Sequence, residues 1–153
     1  MPVNHSRLYV PALARLYETT WQLVEVILRV ATGLLLIPHG AQKLFGMFGG
    51  QGFTGTVQFF DSTGYWPGLF WAPFVGSLQF FGGILLAIGL ITRPIAFLLF
   101  ILFLFSIYFH LPRGIFAIEG GVEHLILWAA ALLFFAIRGG NDWSVDVKLK
   151  KQF

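Results

Sequence analysis

Apolar residues in this chain gather into four long runs, about Val24–Phe45, Leu69–Ile91, Pro94–Leu111 and Val122–Arg138. A helix crosses a bilayer in about 20 apolar residues at 1.5 Å each, and the runs approach that length. No Asp, Glu, Lys or Arg occurs between Asp61 and Arg93, and only Thr92 and Arg93 separate the second run from the third. So short a connection predicts an antiparallel helical hairpin. In a soluble fold, four such runs would leave too little polar surface for solvation. The pattern predicts an all-α protein: a four-transmembrane-helix bundle occupying residues 22–140.

The flanking segments carry a different pattern. In residues 1–21, Leu8, Leu13, Leu16 and Tyr17 share a helical face with Arg7, Arg15 and Glu18 interspersed, which suits a short N-terminal interfacial helix or a simple tail. No A-x-A-like cleavage site follows the first run, so it does not read as a secretory signal. The stretch from Gly46 to Pro67 combines glycines with Phe48, Phe53, Phe59, Phe60, Tyr65 and Trp66. It reads as a flexible aromatic loop or re-entrant cap, since lipid tolerates irregular backbone only where protein covers it. Residues 141–153 read as a basic cytoplasmic tail. With four spans, Arg7, Arg15, Arg93, Arg138, Lys148, Lys150 and Lys151 share one side, and Lys43 and Arg113 the other. The positive-inside rule then puts both termini in the cytoplasm of a bacterial inner-membrane protein.

Composition agrees with a lipid environment. Of 153 residues, 57% are hydrophobic and 11% charged, against about 25% charged in soluble domains. The chain has no Cys, which excludes disulfides, iron–sulfur clusters and thiolate chemistry. Its net charge of +3 is scattered rather than striped, so nucleic acid is not an expected partner. The expected partners are membrane lipid and either other membrane subunits or further copies of the chain.

Ionisable groups inside spans cost roughly 2.5–3.5 kcal/mol each on insertion scales and so mark places of interest. At 100° per residue, Glu25, Arg29, Gly33, Leu36, Gly40 and Lys43 lie on one stripe of the first helix. The two glycines predict that this stripe faces another helix closely. Glu25 and Arg29 stand four residues apart and are suited to pair. Gln79 is the amide at mid-depth in the second run, between Gly76 and Gly83. The topology gathers His39, Lys43, His110, Glu123 and His124 at the non-cytoplasmic end, with Arg113 and Glu119 in the loop there. Such a set suits a quinone head group, whose carbonyls accept from His and Lys; a small anion, or a metal on His39, His110 and Glu123, is the other chemistry it could serve. The expected ligand residues are His39, Lys43, His110, Glu123 and Gln79, supported by Arg29, Gln42, Arg113 and His124. No metal, haem or iron–sulfur cluster is expected.

The segments Gly33-Leu34-Leu35-Leu36 and His39-Gly40-Ala41-Gln42-Lys43-Leu44-Phe45-Gly46 resemble the first-helix signature of the DoxX family of small bacterial membrane proteins. The resemblance continues through Gly82-Gly83, Gly89-Leu90-Ile91-Thr92-Arg93, His110-Leu111-Pro112-Arg113-Gly114, Gly120-Gly121-Val122-Glu123 and Trp143-Ser144-Val145-Asp146, covering about residues 22–147. It implies a four-helix membrane protein, with relatives such as the DoxD-type subunit of thiosulfate:quinone oxidoreductase tied to quinone-linked oxidation. It also implies that Arg29, His39, Gln42, Lys43, Arg93, His110 and Glu123 fall on the family's polar signature. Gln79 departs from it, because the family often has Glu there. The resulting expectation is a subunit of a quinone-linked redox system. The alternative is a non-catalytic anchor or assembly subunit of a respiratory or redox complex.

Overall fold

The computed structural model describes residues 9–149. Among these the protein is all-helical, with α1 Ala14–Phe45, α2 Gly52–Ser62, α3 Gly68–Ile88, α4 Thr92–His110, α5 Glu123–Arg138 and the single turn α6 Val145–Lys148. Three segments are long and apolar enough to cross a membrane: Thr20–Phe45, Gly68–Ile88 and Thr92–Arg113. The fourth expected span, α5, has 16 residues and falls short of that length by itself. Gly120 and Gly121 precede it, and Gly139 at φ +79° stops it.

Helix α1 packs most extensively on α3, α4 on α5, and α3 joins the two pairs. The first interface is made by small residues. A Cβ on Gly33 would stand 2.7 Å from the Ala87 nitrogen, and one on Gly40 would stand 2.7 Å from the Gly76 carbonyl oxygen. Glycine therefore permits backbone contact that a methyl group would forbid. The predicted stripe is the buried one: Glu25, Arg29, Gly33, Leu36 and Gly40 are all covered, and Lys43 is half-buried at its outer end. A single core drawn from α1, α3, α4 and α5 is centred on Leu36, Leu86, Leu99, Phe103, Leu132 and Phe135. Large apolar side chains such as Leu34, Phe97 and Phe105 point outward, as a lipid-facing surface requires.

Several segments depart from the sequence reading. Residues 14–21 are the first turns of the 32-residue α1, not a separate surface helix; residues 1–8 lie outside the described residues. The aromatic stretch after α1 is not a loop throughout, because residues 52–62 form α2. The Thr56 hydroxyl anchors that helix, lying 2.7 Å from the Gly52 carbonyl and 3.2 Å from the Lys43 carbonyl. Asp61 at its end accepts from the Gly68 amide at 2.6 Å, which caps α3. The α3–α4 turn is Gly89–Ile91, with Thr92 and Arg93 already in α4. It opens on a paired glycine cap, Leu90 N–H to the Leu85 carbonyl and Gly89 N–H to the Leu86 carbonyl, a recurrent helix ending. Residues 141–149 fold back onto this turn. The buried Asp146 carboxylate accepts from the amides of Ile91 at 2.7 Å and Thr92 at 3.0 Å, and from the Thr92 hydroxyl at 2.8 Å. The start of α1, the α3–α4 turn and the end of α5 therefore meet at one end of the bundle.

Candidate functional site

At the other end, α1 and α5 present matched pairs of residues one helical turn apart: His39 and Lys43 on α1, Trp128 and His124 on α5. The His39 ring meets Trp128 edge-on at 5.5 Å between centroids, and Trp128 leans on Phe103 of α4 at 4.9 Å. His39 also lies within electrostatic range of Lys43 and His124. Lys43 Nζ donates one hydrogen bond, to the His39 carbonyl at 3.3 Å, leaving two of its three N–H groups. Among the described residues the ring nitrogens of His39 make no hydrogen bond to protein.

Gln79 stands at the same level. Gly33 meets Gly83 and Ala87 while Gly40 meets Gly76 and Phe80, so the antiparallel register of α1 and α3 sets His39 level with Gln79. This carboxamide is buried, and its Oε1 has no hydrogen-bond partner among the described residues. Uncompensated burial of an amide typically costs about 1–3 kcal/mol, so an unpaired Gln inside a bundle requires an explanation. This level of the bundle holds donors on Lys43 and the exposed His39, the ring of Trp128 against the buried Phe103, and the buried amide of Gln79, with no contact between Gln79 and His39 or Lys43 among the described residues.

The other expected residues serve local structure. Gln42 Nε2 donates to the Phe48 carbonyl at 3.2 Å and steadies the turn after α1. His110 Nδ1 donates to the Ser106 carbonyl at 2.8 Å within its own helix. Glu123 Oε1 accepts from the Ala117 amide at 2.8 Å, closing the α4–α5 loop. The Arg113 guanidinium lies over Phe109, 5.4 Å from its centroid. Among the described residues no three His, Asp or Glu gather as a metal site requires, so His39, His110 and Glu123 do not form a ligand set.

Arg29 is not near His39. Ten residues of helix, about 15 Å, separate them, and Arg29 belongs to the opposite end. There Arg29 Nη2 donates to the Trp143 carbonyl at 3.1 Å and Nη1 to Asn141 Oδ1 at 3.4 Å. Glu25, the partner expected for Arg29, instead accepts from Arg138 Nε at 3.0 Å. Asn141 Nδ2 reaches the Gln22 carbonyl at 2.9 Å, and Gln22 Nε2 reaches Asp142 Oδ2 at 2.8 Å. These bonds tie the start of α1 to the segment after α5.

The DoxX family model matches residues 24–111, more than half of the chain. The chain belongs to the DoxX family. The matched region holds the α1–α3 interface, His39, Lys43 and Gln79, and with the three long apolar helices it makes this DoxX protein a membrane protein. A Bacillus subtilis (strain 168) protein named "Putative oxidoreductase CatD" is 35% identical over 79 residues, covering 52% of this chain and 53% of its own length. The chain thus spans about half the length of that relative. An uncharacterised protein of Haemophilus influenzae (strain ATCC 51907 / DSM 11121 / KW20 / Rd) is 29% identical over 133 residues, covering 82% of this chain and 90% of the relative. No solved structure matches significantly.

Two features of this DoxX protein escape the polar-cluster reasoning applied to its sequence. Trp128 reads as one more apolar residue in a span, yet it is the ring that receives His39. Asp146 reads as part of a solvated tail, yet it caps α4. A Ser followed two residues later by Asp, after Gly139-Gly140, was the available signal: Ser144 begins α6 by accepting from the Val147 amide.

Proposed function

We propose that this DoxX protein is an integral subunit of a quinone-linked redox system, with a head-group site bounded by His39, Lys43, Gln79, His124 and Trp128. The observation that carries the reading is the buried Gln79 Oε1, which has no hydrogen-bond partner among the described residues, at the level of the exposed His39. The donor set fits the group: carbonyl oxygens match the N–H groups of Lys43 and His39, and a hydroxyl matches Gln79 Oε1. The relative named "Putative oxidoreductase CatD" favours the same class of chemistry.

A quinone, when bound, supplies two-electron, two-proton redox chemistry. Lys43 and His39 orient an oxygen of the head group by donation, while Trp128 and Phe103 exclude water from one side. His124, exposed at the start of α5, is the group of this set through which protons would pass between the site and the outside. Electrons reach the site from a partner subunit or from the substrate, because the chain has no Cys and no dinucleotide fingerprint. In this reading α5 is the fourth span, the site faces away from the cytoplasm, both termini are cytoplasmic and the membrane is a bacterial inner membrane. The distribution of cations supports this orientation.

The second reading, an anchor or assembly subunit with other subunits or copies as partners, draws on the outward apolar groove of Ile101, Leu104, Phe105 and Tyr108 on α4. Titration of the purified protein in nanodiscs with a short-chain quinone separates the two. The redox reading expects saturable binding that is lost in His39→Leu and Lys43→Leu. Non-saturable partition, unchanged in both variants, overturns it and leaves the anchor reading.

A further inference from the structure

The loop between α4 and α5 exposes apolar side chains where a solvated loop would not: Ile115 is 64% exposed, Phe116 61% and Ile118 96%. The helix lengths account for them. Arg93 Nη2 reaches the Arg138 carbonyl at 3.5 Å, so the start of α4 and the end of α5 share one level. From there α4 and its closing turn rise about 30 Å to Arg113, whereas α5 accounts for only about 22 Å down from Glu123. The loop must therefore descend several ångströms from Arg113 to Glu123. If Arg138 marks one face of a hydrocarbon layer about 30 Å thick, the loop lies at the other.

The backbone of the loop is partly paired within itself. The amides of Gly114, Glu119, Gly120, Gly121, Val122 and Glu123 all bond to carbonyls of the same segment, and the Ala117 amide bonds to Glu123 Oε1. The amides of Ile115, Phe116 and Ile118 bond to no protein acceptor among the described residues, and lipid tolerates irregular backbone only where protein covers it, so the backbone of the loop stays at the hydrated headgroup level and its apolar side chains reach inward from there. Its long charged side chains, Arg113 and Glu119, are exposed and able to reach the headgroups.

We propose that residues 114–122 form a membrane wedge: Ile115, Phe116 and Ile118 insert among lipid acyl chains of the non-cytoplasmic leaflet and make up the length that α5 lacks. The inference rests on the reading of α5 as a span. Because the chain has no Cys, Ile118→Cys carries an environment-sensitive fluorophore at one site, and its exposure means that the core is not disturbed. In liposomes of the purified protein, the label is expected to show blue-shifted emission, quenching by lipids spin-labelled high on the acyl chain, and little quenching by aqueous iodide. Lys148→Cys, probed in intact cells with an impermeant maleimide, is expected to be shielded. Iodide quenching at 118 with 148 still shielded overturns the wedge and leaves the span standing. Protection at 118 from both quenchers means that protein covers the loop, and also overturns the wedge. Labelling of 148 from outside overturns the span reading, and the wedge with it.

Discussion

The Glu25 carboxylate holds Arg138 Nε at 3.0 Å across 113 residues of sequence. Glu25 is almost fully buried, whereas Arg138 is half exposed and spreads its guanidinium over Trp21, 4.7 Å from the ring centroid. The bridge closes the first helix onto the last long one at the level where Arg29 is also buried. Removing the carboxylate leaves Arg138 without its partner and takes away a compensating charge within electrostatic range of the buried Arg29. Glu25→Ala is therefore expected to destabilise the protein by about 2 kcal/mol, less than a fully buried pair because water screens Arg138. Denaturant titration in detergent checks this, and an unchanged midpoint contradicts it.

Asp146 performs for α4 what an N-cap residue usually does from within a helix's own sequence, but from 54 residues downstream. Three donors converge on it. Asp146→Ala leaves two amides and a hydroxyl without an acceptor and is expected to cost about 1–3 kcal/mol. Asp146→Asn keeps an acceptor and costs less. Truncation after Gly140 should match or exceed Asp146→Ala; a truncated protein as stable as the full chain would show that the clamp contributes nothing.

How much of this was legible follows from how local each cause is. The buried stripe of α1 was readable because a helix repeats every 3.6 residues, so spacing alone put Gly33 and Gly40 beside Arg29. The choice of partners was not: Glu25 is one turn from Arg29, yet the fold brings Arg138 to it, and no spacing rule reports a contact across 113 residues. The aromatic stretch concealed α2 because its glycines argue for a loop, while the bond that holds the helix runs from Thr56 to the distant Lys43 carbonyl. At the candidate site, His39 and Lys43 were legible as polar intruders in an apolar span. Trp128 was not, since an aromatic residue in a membrane helix is unremarkable until a histidine ring faces it.

Close approach of α1 and α3 gives a sharp contrast among glycines. A Cβ at Gly33 would lie 2.5 Å from the Gly83 carbonyl oxygen and 2.7 Å from the Ala87 nitrogen, both backbone atoms that cannot move aside. At Gly82 the nearest atom is a side-chain carbon 3.5 Å away, an ordinary contact. Gly33→Ala is expected to force the helices apart and cost about 1–3 kcal/mol. Gly82→Ala is expected to be close to neutral or slightly stabilising, as alanine is the better helix former. Equal effects of the two substitutions in the same unfolding assay would contradict the packing described for this interface.

Gln79 separates stability from ligand binding. In the protein alone, its buried Oε1 has no partner among the described residues, so an apolar side chain of similar size removes a desolvation penalty. Gln79→Leu is expected to leave stability unchanged or to raise it by about 1 kcal/mol. The same substitution removes a group at the level of His39 that is able to bond a hydroxyl, so quinol affinity should fall by about tenfold, the equivalent of one hydrogen bond of 1.4 kcal/mol. Gln79→Glu restores the acceptor but places a carboxyl group in a medium that disfavours its charge, and it should destabilise the apo protein. A ligand bonded to Gln79 makes the Leu variant more stable alone yet less stabilised by added quinol, and thermal shift with and without quinol reads both at once. If Gln79→Leu lowers stability and leaves the quinol-dependent shift intact, the amide has a structural partner and Gln79 lies outside the site.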